Sequence, residues 1–171
     1  MCIVIDSCAF SSIFNREAKD HCEFLPILNW IVKDKGKMVY GGSKYKKELS
    51  KIPKYLRFVG QLKRAGKVIE INGSAVDKHQ SDLEAKCRHR DFDDAHIVAI
   101  VIESGCKLIC TNERRAIPFF KNNDFYPKGV KKPKLYTSSN NCGLLEKKKL
   151  YAKICMPVCK RSIELSKLFD L

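Results

Sequence analysis

The chain has 171 residues, of which 33 are Lys or Arg and 19 are Asp or Glu, so its formal net charge is +14. This length fits one domain with its own core, and 9 Gly and 6 Pro exclude a fibrous or low-complexity chain. No apolar run approaches the roughly 18 residues of a membrane helix, and Met1 leads straight into a strand-like segment. We therefore expect a cytoplasmic protein without a secretory signal and without membrane contact.

Hydrophobic patterning predicts strands that alternate with helices. In chain order the predicted elements are a strand at 2–5, two helices within 10–32 broken near 15–19, a strand at 37–40, a helix at 43–50 capped by Ser43, a helix from Pro53 to Gly66 with Leu56, Val59 and Leu62 on its apolar face, a strand at 68–71, helices at 76–88 and 91–104, a strand at 107–110, a helix at 113–121 and a strand at 134–136.

This alternation predicts an α/β fold, with a mostly parallel sheet of four or five strands and helices on both faces. We assign residues 1–136 to this domain. Residues 137–171 depart from the pattern, hold the lysine run 147–149 and end in a helix-like segment at 162–169. They are predicted to form a basic C-terminal extension, either packed on the domain or mobile beside it.

Basic residues are unevenly distributed along the chain. Residues 44–67 hold nine basic side chains and one acid, whereas residues 77–113 hold eight of the nineteen acids. A positive field attracts polyanions in a salt-sensitive way, so we predict nucleic-acid binding by the first stretch. The predicted binding residues are Lys44, Lys46, Lys47, Lys51, Lys54 and Arg57. Tyr45 or Tyr55 is a candidate for stacking a base, and a solvated lysine-rich surface is the simpler alternative.

Nine cysteines are scattered along the chain, and none forms a CxxC pair. A zinc ribbon or a thioredoxin-like site therefore has no support. We predict small buried or unreactive thiols in a reducing compartment, with Cys106 and Cys110 in or beside a buried strand. Metal or redox work by the cysteines is the less favoured alternative.

Acidic side chains follow the predicted strands or begin the helices beside them. Asp6 follows the first strand, Glu48 lies in the helix after the second, three aspartates at 91–94 begin the helix before the fourth, and Glu113 follows the fourth. The carboxyl ends of parallel strands share one edge, so these acids are candidates for one site. Each could instead cap a helix or be solvated. Two carboxylates ~4 Å apart repel by roughly 4 kcal/mol at an effective dielectric of 20, so a converging cluster needs protons or a cation.

Oxygen ligands favour Mg²⁺ or Mn²⁺ over zinc, and a hard cation in an acidic pocket of a basic protein suggests phosphodiester hydrolysis. Three segments then resemble the PIN-domain family of metal-dependent ribonucleases, which includes the VapC-type toxins. IVIDSCAF resembles the family's first strand and first acid. GGSKYKKEL resembles the helix that carries the second acid. DDAHIVAIVIESG, followed by CKLICTNE, resembles the helix of the third acid, the glycine that ends it and the strand that ends in Thr-Asn-acid. The resemblance covers about residues 1–136.

The resemblance implies a PIN-like, Rossmann-type three-layer α/β/α sandwich. It implies an endoribonuclease that cleaves single-stranded RNA with water activated by Mg²⁺ or Mn²⁺, as a toxin of a toxin–antitoxin system or in defence. The partners that it implies are RNA, a protein inhibitor or antitoxin, and a second copy in a homodimer.

Carried over position by position, the resemblance assigns the catalytic, metal-binding acids to Asp6, Glu48, Asp94 and Glu113. Asp94 is preferred to Asp93 because Asp-Ala-x-Ile, with a glycine eleven residues after the acid, fits the family helix. Glu113 stands where the family commonly has Asp. Because Glu has one more methylene group, we expect Glu113 to contact the metal through a water molecule rather than directly.

Polar neighbours are assigned supporting roles in the same way. Ser7, Thr111 and Asn112 match positions that commonly support such a site. Asp91 is either a further outer acid or the cap of its helix, and we favour the cap. His96 lies on an apolar helix, so we predict a packed histidine rather than a catalyst.

Other functions are possible for the same pattern. A haloacid-dehalogenase-type enzyme needs a second acid two residues after Asp6, where Cys8 stands, and a dinucleotide enzyme needs glycines after the first strand. A non-catalytic nucleic-acid-binding α/β module, with the carboxylates as caps, is one alternative. A DNA-directed nuclease is another, because the same ions hydrolyse both backbones.

Overall fold

A parallel sheet organises the chain. The computed structural model describes residues 1–156, which contain five strands: β1 (Cys2–Ile5), β2 (Lys37–Tyr40), β3 (Val68–Glu70), β4 (Leu108–Cys110) and β5 (Lys134–Tyr136). All neighbouring pairs are parallel, in the order β3-β2-β1-β4-β5. The helix-like segment predicted at 162–169 lies outside the described residues.

Helices connect the strands and flank the sheet. Within the described residues they are α1 (Phe10–Phe14), α2 (His21–Val32), α3 (Ser43–Ser50), α4 (Pro53–Arg64), α5 (Gly73–Lys86), α6 (Ala95–Ser104) and α7 (Ile117–Phe120). The predicted break between the first two helices and the predicted fifth strand are both confirmed. The fold is therefore the predicted α/β class, a Rossmann-like three-layer sandwich with a parallel sheet.

The central strand β1 is buried along its whole length. Val4 pairs with Val39 of β2 on one side and with Ile109 of β4 on the other. A parallel strand with helices over both faces needs apolar side chains at every position, and the sequence CIVI supplies them. The next residue, Asp6, is thereby fixed at the carboxyl edge of the sheet.

The apolar face of α4 differs from the prediction at one position. Val59 and Leu62 are buried as expected, but Leu56 is 45% exposed. Tyr55 is buried in its place because its ring stacks on Phe10, with the ring centroids 5.9 Å apart. The larger aromatic side chain therefore sets which side of the helix faces the core.

Helix α6 starts at Ala95 rather than at Asp91, so its predicted start was wrong. The segment before it is held by Phe92, which is buried. The ring of Phe92 stacks on those of Phe119 and Phe125, with centroids 5.0 and 4.6 Å apart. This packing holds the aspartates at 91–94 outside the helix.

The cap of α3 and the bounds of α5 and α7 also differ from the prediction, and α5 spans Gly73–Lys86 rather than 76–88. Gly42, not Ser43, is the N-cap of α3, and its φ of 82° lies in the left-handed region that glycine tolerates. The Ser43 hydroxyl instead donates to Asp77 at 2.6 Å. Helix α7 is shorter than the predicted 113–121, with Pro118 in its first turn, where proline is tolerated.

Residues 137–156 pack against the sheet and α2. The Ser139 hydroxyl and amide both donate to Glu23 of α2, and Leu145 is buried in the core. Cys155 is buried and disulfide-bonded to Cys2 of β1, so the expectation that all cysteines are free thiols was wrong for this pair. The two thiols lie together because the packed segment returns to the start of the central strand.

The chain changes direction in the sheet beside β1. Strands β2 and β3 extend the sheet on one side, and β4 and β5 extend it on the other. In open parallel sheets, ligands bind outside the carboxyl ends of the strands at such a switch point. Among the described residues, no helix is long and apolar enough to cross a membrane.

Candidate active site

The candidate site lies where β1 and β4 end side by side. The Asp6 amide donates to the carbonyl of Cys110 at 2.9 Å, and the Thr111 amide donates to the carbonyl of Tyr136 at 3.1 Å. These bonds fix the first residues after each strand. Asp6 and Thr111 therefore face each other at the topological switch point.

Asp6 is almost fully buried at this edge. The Thr111 hydroxyl donates to Asp6 Oδ2 at 2.7 Å, and the Cys8 amide lies 3.4 Å from Oδ1. Burial raises the pKa of Asp6 above its usual value, although these hydrogen bonds act in the opposite direction. The predicted supporting role of Thr111 thus corresponds to a direct bond that orients the first acid.

Glu48 reaches the same edge from α3. The Tyr45 hydroxyl donates to the carbonyl of Ile5 at 2.5 Å and ties α3 to the end of β1. The Ser7 hydroxyl donates to Glu48 Oε2 at 2.8 Å. Burial raises the pKa of Glu48, but its contacts with His96 and Ser7 lower it more, so the net pKa lies below the usual value. Glu48 is therefore an ionised and oriented carboxylate.

Asp94, the residue immediately before α6, completes a group of three carboxylates. Burial, followed by the negative charge of Asp6, raises the pKa of Asp94 to about 7, and the charge of Glu48 acts in the same direction. Among residues 1–156, no hydrogen bond or salt bridge reaches the Asp94 carboxylate. We call Asp6, Glu48 and Asp94 the acidic cluster.

His96 is a member of this site that the sequence analysis did not assign. It is fully buried, as predicted for a packed histidine, but its Nε2 lies 3.3 Å from Glu48 Oε2. Neither ring nitrogen has a well-aligned hydrogen-bond partner in the described part of the chain. The imidazole therefore restricts where the Glu48 carboxylate can move. One feature of the sequence could have indicated this contact: His96 lies in the first turn of α6, two residues after Asp94.

Glu113 is turned away from the acidic cluster. Its carboxylate accepts from Arg115 Nε at 3.0 Å, and this bond lowers the pKa of Glu113 below its usual value. Only its backbone reaches the site, where its amide donates to Thr111 Oγ1 at 3.0 Å. A role of the Glu113 carboxylate as a metal ligand stays a prediction and requires the side chain to leave Arg115.

The remaining polar candidates lie at the rim. Asn112 donates to Ser12 Oγ at 2.9 Å, which ties the loop after β4 to α1. Asp91 does not cap α6, because the helix starts later. Its carboxylate instead lies 3.6 Å from the Arg90 guanidinium and 3.9 Å from the His89 ring.

The predicted nucleic-acid-binding residues divide into two groups. Lys44 points to the site, where its ammonium donates to the carbonyl of Asp93 and its charge lowers the pKa of Glu48. Lys46 is paired with Glu70 at 2.6 Å. The exposed members without these contacts are Lys47, Lys51, Lys54 and Arg57.

Neither tyrosine proposed for base stacking is available for it. Tyr45 and Tyr55 are both buried in the core. The Tyr45 ring lies between those of Tyr40 and His96, with centroids 5.8 and 6.1 Å away. That prediction was wrong, because both rings lie on the inner side of their helices.

The acidic cluster fits a hard divalent cation in its chemistry. Its donors are all carboxylate oxygens, and an ion of opposite charge would offset both the burial of Asp94 and its repulsion by Asp6, which together raise the pKa of Asp94. In the described part of the chain, no three Asp, Glu, His or Cys side chains are yet close enough together to hold an ion. Binding therefore requires adjustment of side chains around Asp6, Glu48 and Asp94.

Comparisons with protein-family models, with curated proteins and with solved structures find no match to this chain. The likeness to the PIN family therefore rests on the three sequence segments and their order.

Proposed function

We propose that the protein is a metal-dependent ribonuclease that cleaves single-stranded RNA. The observation that carries this proposal is the convergence of Asp6, Glu48 and Asp94 at the switch point of a parallel sheet. Burial, followed by the negative charge of Asp6 and with a smaller contribution from Glu48, raises the pKa of Asp94 to about 7. Bringing carboxylates together without a cationic partner costs stability, and binding a cation would offset that cost.

Asp6 and Asp94 would hold Mg²⁺ or Mn²⁺ directly, and Glu48 would complete the ligand set. A bound ion would activate water for in-line attack on the phosphorus and stabilise charge on the leaving oxygen. Thr111 and Ser7 orient Asp6 and Glu48 through bonds of 2.7 and 2.8 Å. Exposed lysines after Glu48 would bind the flanking phosphates.

The test is cleavage of end-labelled single-stranded RNA with Mn²⁺, with Mg²⁺ and with EDTA. Asp94→Asn removes the unpartnered carboxylate, and Asp93→Asn is the matched control because Asp93 carries the same charge one residue earlier and is exposed. We expect metal-dependent cleavage by the wild type and by Asp93→Asn, and none by Asp94→Asn. Equal cleavage by both variants contradicts the assigned site.

A second candidate function is a nucleic-acid-binding module without catalysis. It is favoured by the pairing of Glu113 with Arg115, which removes the fourth predicted acid from the cluster. Binding of RNA without cleavage under every metal condition supports this candidate.

Cleavage of single-stranded DNA at the same rate as RNA supports a DNA-directed nuclease. A toxin role, an inhibitor protein and a homodimer stay predictions of the family resemblance.

A further inference from the structure

A cavity lies beside the acidic cluster. It has a volume of about 600 Å³ and lies between α2, the loop after β4, α7 and the residues after β5. Thr111 lines this cavity and also donates to Asp6 at 2.7 Å. One residue is therefore shared by the cavity wall and the candidate metal site. A ligand in the cavity would therefore lie beside Thr111, one hydrogen bond from Asp6 of the acidic cluster.

The walls of the cavity combine an apolar surface with one arginine that has no partner among the described residues. Phe24, Ile117 and Pro118 supply the apolar part. Arg114 lines the cavity, and its guanidinium forms no hydrogen bond or ion pair with residues 1–156. An apolar surface suits a nucleobase, and a free guanidinium suits the phosphate attached to it. The volume lies within the range of small-ligand sites.

The other polar groups of the cavity are mainly hydrogen-bond acceptors. Asp20 and Glu23 line it as carboxylates, which Ser12 and Ser139 orient at 2.6 and 2.5 Å. Asn112 donates one amide N–H to Ser12 Oγ, and its carbonyl oxygen is a further acceptor. Acceptors select ligands that carry N–H groups. Adenine, cytosine and guanine carry an exocyclic amino group with two N–H donors, whereas uracil offers one ring N–H between two carbonyl oxygens, which carboxylates repel.

We propose that this cavity binds the nucleotide adjacent to the cleaved phosphate and selects a base with an exocyclic amino group over uracil. The inference rests on the proposed ribonuclease function for the identity of that phosphate. The recognition of the nucleotide itself depends only on the cavity. Cytidine and uridine nucleotides are matched probes, because their bases have similar shape and differ only at positions 3 and 4, where cytosine has a ring acceptor and an amino group and uracil has a ring N–H and a carbonyl oxygen.

The first experiment titrates the wild-type chain with cytidine 5′-monophosphate and with uridine 5′-monophosphate in EDTA, followed by NMR or calorimetry. We expect the cytidine nucleotide to bind at least about tenfold more tightly, the scale of one hydrogen bond to a charged acceptor. Arg114→Gln should weaken its binding by about tenfold. Arg88→Gln, which removes an exposed arginine outside the cavity, should not change it. Equal binding of the two nucleotides, or an unchanged affinity in Arg114→Gln, overturns the proposal.

The second experiment maps the cuts made in a mixed-sequence RNA. We expect cuts beside A, C or G rather than U, and loss of this preference in Ile117→Trp, which fills the cavity from α7. If the cytidine nucleotide binds selectively but no RNA is cut with any metal, the ribonuclease function fails and the nucleotide site stands. If RNA is cut while the two nucleotides bind equally, only the cavity proposal fails.

Discussion

Carboxylates at the same edge of the sheet are in opposite electrostatic states. At the end of β3, Glu70 forms ion pairs with Lys46 at 2.6 Å and Lys63 at 2.5 Å, and we call these three residues the Glu70 group. The Tyr40 hydroxyl also donates to Glu70, at 3.2 Å. The two lysine contacts lower the pKa of Glu70 to about 2. Beside β1, burial and the charge of Asp6 instead raise the pKa of Asp94 to about 7.

The difference shows which carboxylates serve the fold and which are available for a ligand. The Glu70 group is electrostatically complete, because two ammonium groups already compensate its charge. In the acidic cluster, Glu48 contacts His96 and is affected by the charge of Lys44, but no basic side chain of residues 1–156 pairs with Asp94, although the chain carries a net charge of +14. A carboxylate without a basic partner among the described residues of so basic a chain supports the proposed metal site.

The largest expected effect compares one glutamate from each group. Glu48→Gln should lower the metal-dependent cleavage rate by more than about 10²-fold, the scale of losing one electrostatic stabiliser at a reacting centre. Glu70→Gln should not lower the rate, because Glu70 does not belong to the acidic cluster. Rates on one labelled RNA at saturating metal provide the measurement. A loss of similar size in both variants would break the distinction between the two groups.

Metal binding should also stabilise the folded protein. At a free ion concentration of about 100 times Kd, binding to the native state adds about 2.7 kcal/mol, which for this chain length raises Tm by about 5–10 °C. We expect Mn²⁺ or Mg²⁺ to raise the Tm of the wild type and to leave that of Asp94→Asn almost unchanged.

Thermal melts followed by circular dichroism, with and without metal, measure this effect. In EDTA, Asp94→Asn should be at least as stable as the wild type, because the substitution removes a repelled carboxylate. An equal metal-induced rise of Tm in both proteins would place the ion elsewhere.

The fold was predictable because its determinants are local. The unbroken apolar run of β1 and the alternation of strands and helices are visible in the sequence, and they define the sheet. The start of α6 was not predictable, because it depends on Phe92 stacking on Phe119 and Phe125 from later in the chain. The buried place of Tyr55 depends in the same way on Phe10.

The candidate site was predictable in part. The positions of Asp6, Glu48 and Asp94 after or beside strand ends indicated that they converge, since parallel strands share one carboxyl edge. The contact of His96 with Glu48 and the pairing of Glu113 with Arg115 were not predictable. Both depend on side-chain directions, which a pattern of strands and helices does not specify.

A smaller effect tests whether Glu113 joins the cluster during the reaction. Glu113→Gln should lower cleavage by about tenfold, the low end of the effects of groups that act around a metal through other ligands. Arg115→Gln releases the Glu113 carboxylate, which it now holds at 3.0 Å, and should not lower the rate. Metal titrations of both variants separate affinity from rate. An unchanged rate in Glu113→Gln would leave a site of three acids.

The smallest expected effect concerns stability and tests the Glu70 group alone. Its pKa is depressed from 4.5 to about 2, so the folded state favours the ionised form. The resulting stabilisation is fully present above about pH 4.5 and is lost as the pH falls towards 2. The side chain is 30% exposed, and solvent screening limits the gain to no more than about 1 kcal/mol. Urea melts should therefore show the wild type slightly more stable than Glu70→Gln at pH 7, with the difference shrinking below pH 4. A difference that grows on acidification would contradict the charged pairing with Lys46 and Lys63.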